Sequence, residues 1–179
     1  KNERMRKWIF FFTVISLLAG LSACGSDRPD DLPMSMNASA TQSFKLITAA
    51  GTPQSPEVVF NLTDFTAIAQ YVKYIEKVDV LATSYFEFTG IPTSEGVKLT
   101  NVSLTLASNS KTQITLPDIT ANGKIAADTA AYLGFLQSVM DEINRKGSSK
   151  VILKYTSATD LLSPDTLCKI SLNAKFSFN

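Results

Sequence analysis

The chain has 179 residues, of which 45% are hydrophobic, and its 17 basic and 16 acidic residues leave a formal net charge of +1. Because the charges balance, no global positive field attracts nucleic acid, and we expect no nucleic-acid partner. The chain contains no histidine, which removes Ser-His-Asp and Cys-His catalysis and the usual zinc ligand. We therefore predict a protein that is not an enzyme, with no catalytic residue, no metal and no cofactor.

The N-terminal segment has the three parts of a secretory signal in their usual order. Basic residues Arg4, Arg6 and Lys7 come first, an apolar run from 8 to 18 follows, and small residues then precede Cys24. A helix that spans a bilayer needs about 20 apolar residues, so this run is too short to cross one. The pattern predicts a signal peptide.

The residues Leu21-Ser22-Ala23-Cys24 resemble the lipobox of bacterial lipoproteins. The resemblance implies that residues 1–23 are a lipoprotein signal peptide, and that Cys24 becomes the first mature residue, carrying a diacylglycerol and usually an N-acyl chain such as palmitate. Two or more chains anchor a protein stably, whereas one chain does so only marginally. We therefore expect Cys24 to be the lipidation site, and the protein to be attached to the membrane through it.

Asp27, Asp30 and Asp31 follow the cysteine. An acidic stretch at this place is similar to the export signal of surface lipoproteins in some Gram-negative bacteria. The same residues, with Pro29 and Pro33, also suit a flexible tether over residues 24–42. We expect an outer-membrane location, and the sequence leaves both the cell surface and the periplasmic face open.

Residues 43–179 have the size of one domain. We predict seven strands and two helices in it. The helix from Asp128 or Thr129 to Lys146 stops at Gly147, which suits a left-handed C-terminal position. The predicted strands cover residues 42–49, 57–62, 78–88, 97–107, 112–117, 150–156 and 167–178, and the first helix covers 65–75.

Short strands of alternating pattern favour a mainly β fold, an antiparallel two-sheet β-sandwich that is immunoglobulin-like or similar. The third, fourth and fifth strands are predicted to form an antiparallel meander, since their connections are short. The alternative is an α+β fold with one antiparallel sheet covered by the long helix. Cys168 shares the parity of Ile170 and Leu172, so we expect a buried, inert thiol.

Three groups of polar residues are candidates for a functional site. Ser108 and Lys111 match the pattern S-x-x-K, but they fall in a predicted hairpin rather than on a helix, so we predict a polar turn. Asp141 and Glu142 are adjacent on a helix and point about 100° apart, which does not suit a paired acid and base. Asp118 and Asn122 could join a loose cation site, but a plain turn explains them better.

Aromatic and threonine residues supply the remaining candidates. Tyr85 is the best candidate for stacking on a sugar, since it shares the outward face of its strand, and Tyr71 and Tyr74 lie on the first helix. The triplets Asp128-Thr129-Ala130 and Asp165-Thr166-Leu167 resemble the O-glycosylation acceptor of some Gram-negative envelope proteins. Helix capping explains Asp128 and Thr129 equally well.

These observations predict a lipid-anchored, non-enzymatic binding or assembly module at the outer membrane of the cell envelope. We expect an envelope protein or a glycan as its partner. The alternative is a lipoprotein that binds a glycan or another small ligand in a groove between the long helix and the sheet. The sequence does not identify the ligand-binding residues.

Overall fold

The computed structural model describes residues 31–93 and 96–179. The predicted signal peptide, the lipidation site Cys24, and Asp27 and Asp30 lie outside these residues. The described elements are β1 (Ser35–Lys45), β2 (Glu57–Asn61), two 3₁₀ segments (Leu62–Asp64 and Thr66–Tyr74), β3 (Ile75–Val80), β4 (Tyr85–Thr89), β5 (Leu99–Leu106), β6 (Asn109–Thr115), β7 (Gly123–Ala126), α1 (Ala130–Lys146), β8 (Ser148–Ser157) and β9 (Leu167–Phe178).

The strands form two antiparallel sheets. A five-stranded sheet has the order β1-β9-β4-β7, with β3 also paired to β9, and a four-stranded sheet has the order β2-β8-β5-β6. The prediction of an antiparallel two-sheet β-sandwich is confirmed. The alternative of one sheet under the long helix is wrong, because the inward faces of two sheets share the core.

The twelve-residue strand β9 is the centre of the larger sheet. It pairs with β1 along its whole length on one side, and with β3 and β4 end to end on the other. Alternate side chains therefore face the second sheet, as the period of a strand requires. Those that are fully buried are Cys168, Ile170, Leu172, Ala174 and Phe176.

The predicted tether over residues 24–42 is wrong in its last part. Residues 35–42 belong to β1, and the domain therefore starts before residue 43. The segment from Ser35 is rich in small polar residues and suggested a flexible chain, but Ala38 and Ala40 face the core and are 8% and 5% exposed. Pairing with β9 satisfies the backbone of this segment.

The predicted strand over residues 78–88 is two strands. A turn at Leu81 to Ser84, closed by a 2.9 Å bond from the Ser84 amide to the Leu81 carbonyl, separates β3 from β4. The predicted meander is also wrong in part, because β5 and β6 form a hairpin in the other sheet. The four-residue strand β7 was missed, since it is too short to show a period.

The long helix is confirmed with both of its ends. At its start, the Thr129 side chain accepts a hydrogen bond from the Tyr132 amide. At its end, Gly147 has φ 83°, in the left-handed region that glycine adopts more readily than residues with a Cβ. The first predicted helix is a 3₁₀ segment instead, and Phe65 and Ile68, three residues apart, are both fully buried. Within the described residues, no helix combines the length and the apolar character needed to cross a membrane.

Candidate functional site

Glu142 is a carboxylate buried within the described domain. It lies on α1 next to Ile143, in the apolar stripe that packs on the sheets, and its side chain is only 7% exposed. A buried carboxylate needs hydrogen-bond donors, because transfer out of water disfavours its charged form. Glu142 and its donors Ser108, Lys146 and Ser149 are called the Glu142 joint below.

Three segments of the chain converge on this carboxylate. Ser108, in the turn between β5 and β6, donates to Oε2 of Glu142 at 2.9 Å, and Ser149, at the start of β8, donates to the same oxygen at 3.0 Å. Lys146, one helical turn further along α1, donates to Oε1 at 2.6 Å. Both oxygens are therefore occupied, and the helix is joined to two strands of the smaller sheet.

Burial and hydrogen bonding act on Glu142 in opposite directions. Burial raises the pKa of the carboxyl, but the hydrogen bonds from Lys146, Ser108 and Ser149 and the charge of Lys146 lower it by more. The net result is a pKa below the usual value of 4.5. Glu142 is thus ionised at neutral pH and is a weak base.

The joint does not activate a nucleophile. A serine becomes nucleophilic when a good general base takes its proton, whereas Ser108 donates to a carboxylate of lowered pKa. Lys111, the partner that S-x-x-K would require, is exposed, and its amide bonds to the Asn109 side chain at 3.2 Å. The geometry is that of a structural ion pair with two hydroxyl donors.

Two clefts flank the Glu142 joint. One, of about 420 Å³, lies between α1 and the β5–β6 hairpin, and Asn109, Thr112, Ser138, Asp141 and Arg145 are among its lining residues; it is called the helix cleft below. The other, of about 410 Å³, lies beside β8. The Arg145 side chain is exposed and forms no hydrogen bond or ion pair with any other described residue.

The cation site considered at Asp118 and Asn122 does not form. Asp118 pairs with Lys98 at 2.7 Å, and the Asn122 side chain accepts a bond from the Ile91 amide at 2.7 Å. The two side chains thus serve different neighbours. No group of metal-ligating side chains occurs among the described residues.

The three tyrosines considered for stacking all have neighbours. The ammonium of Lys124 lies 4.3 Å from the ring centroid of Tyr85, and Lys73 lies 5.1 Å from that of Tyr74. The Tyr71 ring packs on Phe178 with centroids 5.5 Å apart. A sugar that stacks on Tyr85 has to compete with a cation–π contact on that ring.

The two threonines of the Asp-Thr triplets differ in access. Thr166 is fully buried, and its hydroxyl donates to the Gly90 carbonyl at 2.9 Å. Gly90 permits this close approach, since its φ is 71° and a Cβ there would lie 2.3 Å from the Asp165 oxygen. Thr129 is exposed at the start of α1. Only Thr129 offers an accessible hydroxyl to a modifying enzyme in the folded domain.

Cys168 is buried with 0% exposure and is the free cysteine of the described residues. Burial raises the pKa of its thiol far above the usual value. Since the thiolate is the reactive form, a thiol in this setting is inert.

In the sequence, Glu142 and Ser108 belong to separate motifs, and neither motif indicates that they meet. The spacing of Glu142 and Lys146 is a readable signal, because residues four apart are neighbours on a helix. The convergence of Ser108 and Ser149 is not readable, since it depends on how the hairpin and β8 are placed around the helix.

No protein-family model and no curated protein matches the chain. Among solved structures, the chain is similar to one of Desmodium yellow mottle tymovirus, with 11% sequence identity and a TM-score of 0.34. That match covers 87% of this chain and 91% of the viral one. A likeness at this level has no bearing on the function.

Proposed function

We propose that the protein is a lipid-anchored, non-enzymatic binding or assembly module at the outer membrane. The observation that carries the proposal is the motif Leu21-Ser22-Ala23-Cys24 behind a basic and apolar leader. β1 begins at Ser35, so the chain between the anchor and the first strand reaches at most about 40 Å when fully extended. An anchored domain would therefore remain close to the bilayer surface.

The Glu142 joint supports the non-enzymatic part of the proposal. Its hydroxyl and ammonium donors all point at one carboxylate, and that carboxylate has a lowered pKa. Catalytic acids and bases usually have a pKa shifted toward the working pH. Here the shift goes the other way, which suits an ion pair that stabilises the fold.

Labelling with radioactive palmitate in the native host tests the anchor. We expect label in the membrane-bound wild-type protein, and no label in Cys24→Ala. Cys168→Ala is the matched control, because it removes the other cysteine of the chain and should be labelled like the wild type. Label that persists in Cys24→Ala, or a wild-type protein recovered without lipid, contradicts the proposal.

A second candidate, binding of a glycan or another small ligand, is favoured by the helix cleft. The Arg145 guanidinium has no partner within the described part of the chain, and guanidinium groups bind carboxylates through paired hydrogen bonds. Asn109 and Thr112 line the same cleft and offer groups that bond to sugar hydroxyls. The cleft therefore suits a sugar that carries a carboxylate.

Titration with glucuronate, followed by NMR chemical shifts, tests the second candidate, and glucose serves as the neutral comparison. We expect glucuronate alone to shift resonances of the helix cleft. Arg145→Ala should abolish the shifts, whereas Lys175→Ala, an exposed change on the other sheet, should not. Equal responses to the two sugars, or none to glucuronate, would rule this candidate out.

A further inference from the structure

The outer edge of a β-strand presents unpaired amides and carbonyls, and proteins protect such edges against pairing with other chains. Most edges of this sandwich are protected. β7 has four residues, β2 has five and follows Pro56, and β6 carries a register shift against β5. At β3 the Gln137 side chain replaces a neighbouring strand, since it accepts from the Val80 amide and donates to the Val78 carbonyl, both at 2.9 Å.

β1 lacks each of these protections. It has eleven residues, contains no proline, and pairs with β9 through eleven consecutive positions without a shift. Its one charged residue is Lys45, at its end. The strand is therefore long, regular and almost uncharged, which are the properties of an edge that accepts another strand.

Two hydrogen bonds determine which residues of β1 face outward. The Leu46 amide bonds to the Thr166 carbonyl at 2.9 Å, and the Phe178 amide bonds to the Met34 carbonyl at 3.1 Å. Since bonded pairs alternate along an antiparallel ladder, the even-numbered residues of β1 bond to β9. The odd-numbered residues direct their backbone groups to the outer edge.

These odd-numbered residues also have exposed side chains. They are Ser35, Asn37, Ser39, Thr41, Ser43 and Lys45. Within the described part of the chain, the backbone amides and carbonyls of the first five have no partner. The edge thus combines free backbone groups with small polar side chains.

We propose that this edge binds β1 of a second copy of the chain, antiparallel and about a two-fold axis at Ala40. This register uses all eleven residues and aligns the odd-numbered residues of the two copies, as the bonding pattern requires. It places Ser39 opposite Thr41 of the second copy, and Lys45 opposite Ser35. No like charges face each other, so the strand is complementary to itself. The inference does not depend on the proposed anchor.

Two double variants test the proposal in the full chain purified in detergent, by sedimentation at increasing concentration. Ser39→Lys with Thr41→Lys places lysines opposite each other, whereas Ser39→Lys with Thr41→Glu places opposite charges there. Both positions are exposed, and urea unfolding of each variant below the dimerisation range separates a change in the stability of the single chain from a change in dimerisation. We expect the dissociation constants of the two dimers to differ by about tenfold, because like charges directly opposite each other on paired strands destabilise the pair.

Three results would overturn the proposal. The first is a wild-type protein that stays monomeric at every concentration up to about 1 mM. The second is a dimer that both variants leave unchanged, which would place the contact on another surface. The third is a complex of this edge with a different envelope protein from which a second copy is excluded.

Discussion

The core around β9 and the Glu142 joint stabilise the domain by opposite physical means. Around β9 the buried side chains are apolar, and Phe176 contacts Phe65 edge to face at 5.3 Å. At the joint, a carboxylate that is 7% exposed is held by two hydroxyls and an ammonium. The core tolerates imprecise placement, since dispersion and burial have no direction, whereas the joint needs three segments at hydrogen-bond distance.

The largest expected effect is in the core. Phe176→Ala removes a fully buried ring, and we expect the free energy of unfolding to fall by about 3–5 kcal/mol because a cavity remains. Urea denaturation measures this value. Phe176→Leu is the control, and its free energy of unfolding should fall by clearly less because leucine fills part of the cavity. An alanine variant that loses under about 1 kcal/mol would mean that the core collapses to fill the space.

Substitutions in the Glu142 joint should lower the free energy of unfolding by less than Phe176→Ala does. Glu142→Ala leaves the Ser149 hydroxyl, at 3% exposure, buried without its acceptor. We therefore expect the free energy of unfolding to fall by about 2 kcal/mol. Glu142→Gln keeps one acceptor oxygen and should lose less. If Ser108→Ala lost as much stability as Glu142→Ala and Ser149→Ala lost little, the exposed serine rather than the buried one would carry the stabilisation.

The joint also predicts a dependence of stability on pH. The pKa of Glu142 is lower in the folded protein than its usual value of 4.5, so its contribution is fully present above about 4.5 and is lost as the pH falls through the lower folded value. Denaturation at pH 7 and at pH 3 measures the change. In Glu142→Gln this part of the loss should disappear, and an unchanged loss would assign it to other carboxylates.

The two regions also differ in how far the sequence predicts them. β9 was predicted from Leu167 to Phe178, because strict alternation reports which face is buried. The small alanines of β1 carry a weaker apolar signal, so the sequence predicts a tether up to residue 42 and a strand only from there on. The helix that carries Glu142 is predicted correctly, but its pattern places Glu142 on the water-facing side, whereas the side chain is only 7% exposed. Its donor Ser149 lies across a turn. Which groups meet there depends on the packing of the helix, and no local pattern encodes that.

The hydrogen bonds of Gln137 to β3 test whether directed polar contacts stabilise the edge of a sheet as they do the Glu142 joint. Gln137→Ala removes the side chain that bonds to the Val78 carbonyl and the Val80 amide. We expect a loss of about 1 kcal/mol, with faster hydrogen exchange at the Val80 amide. The Asp79 amide faces β9 in the same strand and is the internal reference. Equal protection of the Val80 amide in both proteins would mean that water or a shifted side chain replaces Gln137.

The smallest effect is expected for an exposed ion pair, and it shows how much burial of the carboxylate contributes to the stability of the Glu142 joint. The ion pair of Lys98 and Asp118 measures 2.7 Å, nearly the same as the 2.6 Å pair of Lys146 and Glu142, but both of its side chains are 49% exposed. Water already stabilises such charges, so Lys98→Ala should change the free energy of unfolding by less than about 0.5 kcal/mol. The comparison with Glu142→Ala in the same urea titration is decisive, because the ion-pair distances match and the exposure of the acidic side chain does not. If Lys98→Ala cost as much as Glu142→Ala, the short distance rather than the buried carboxylate would explain the stability of both pairs.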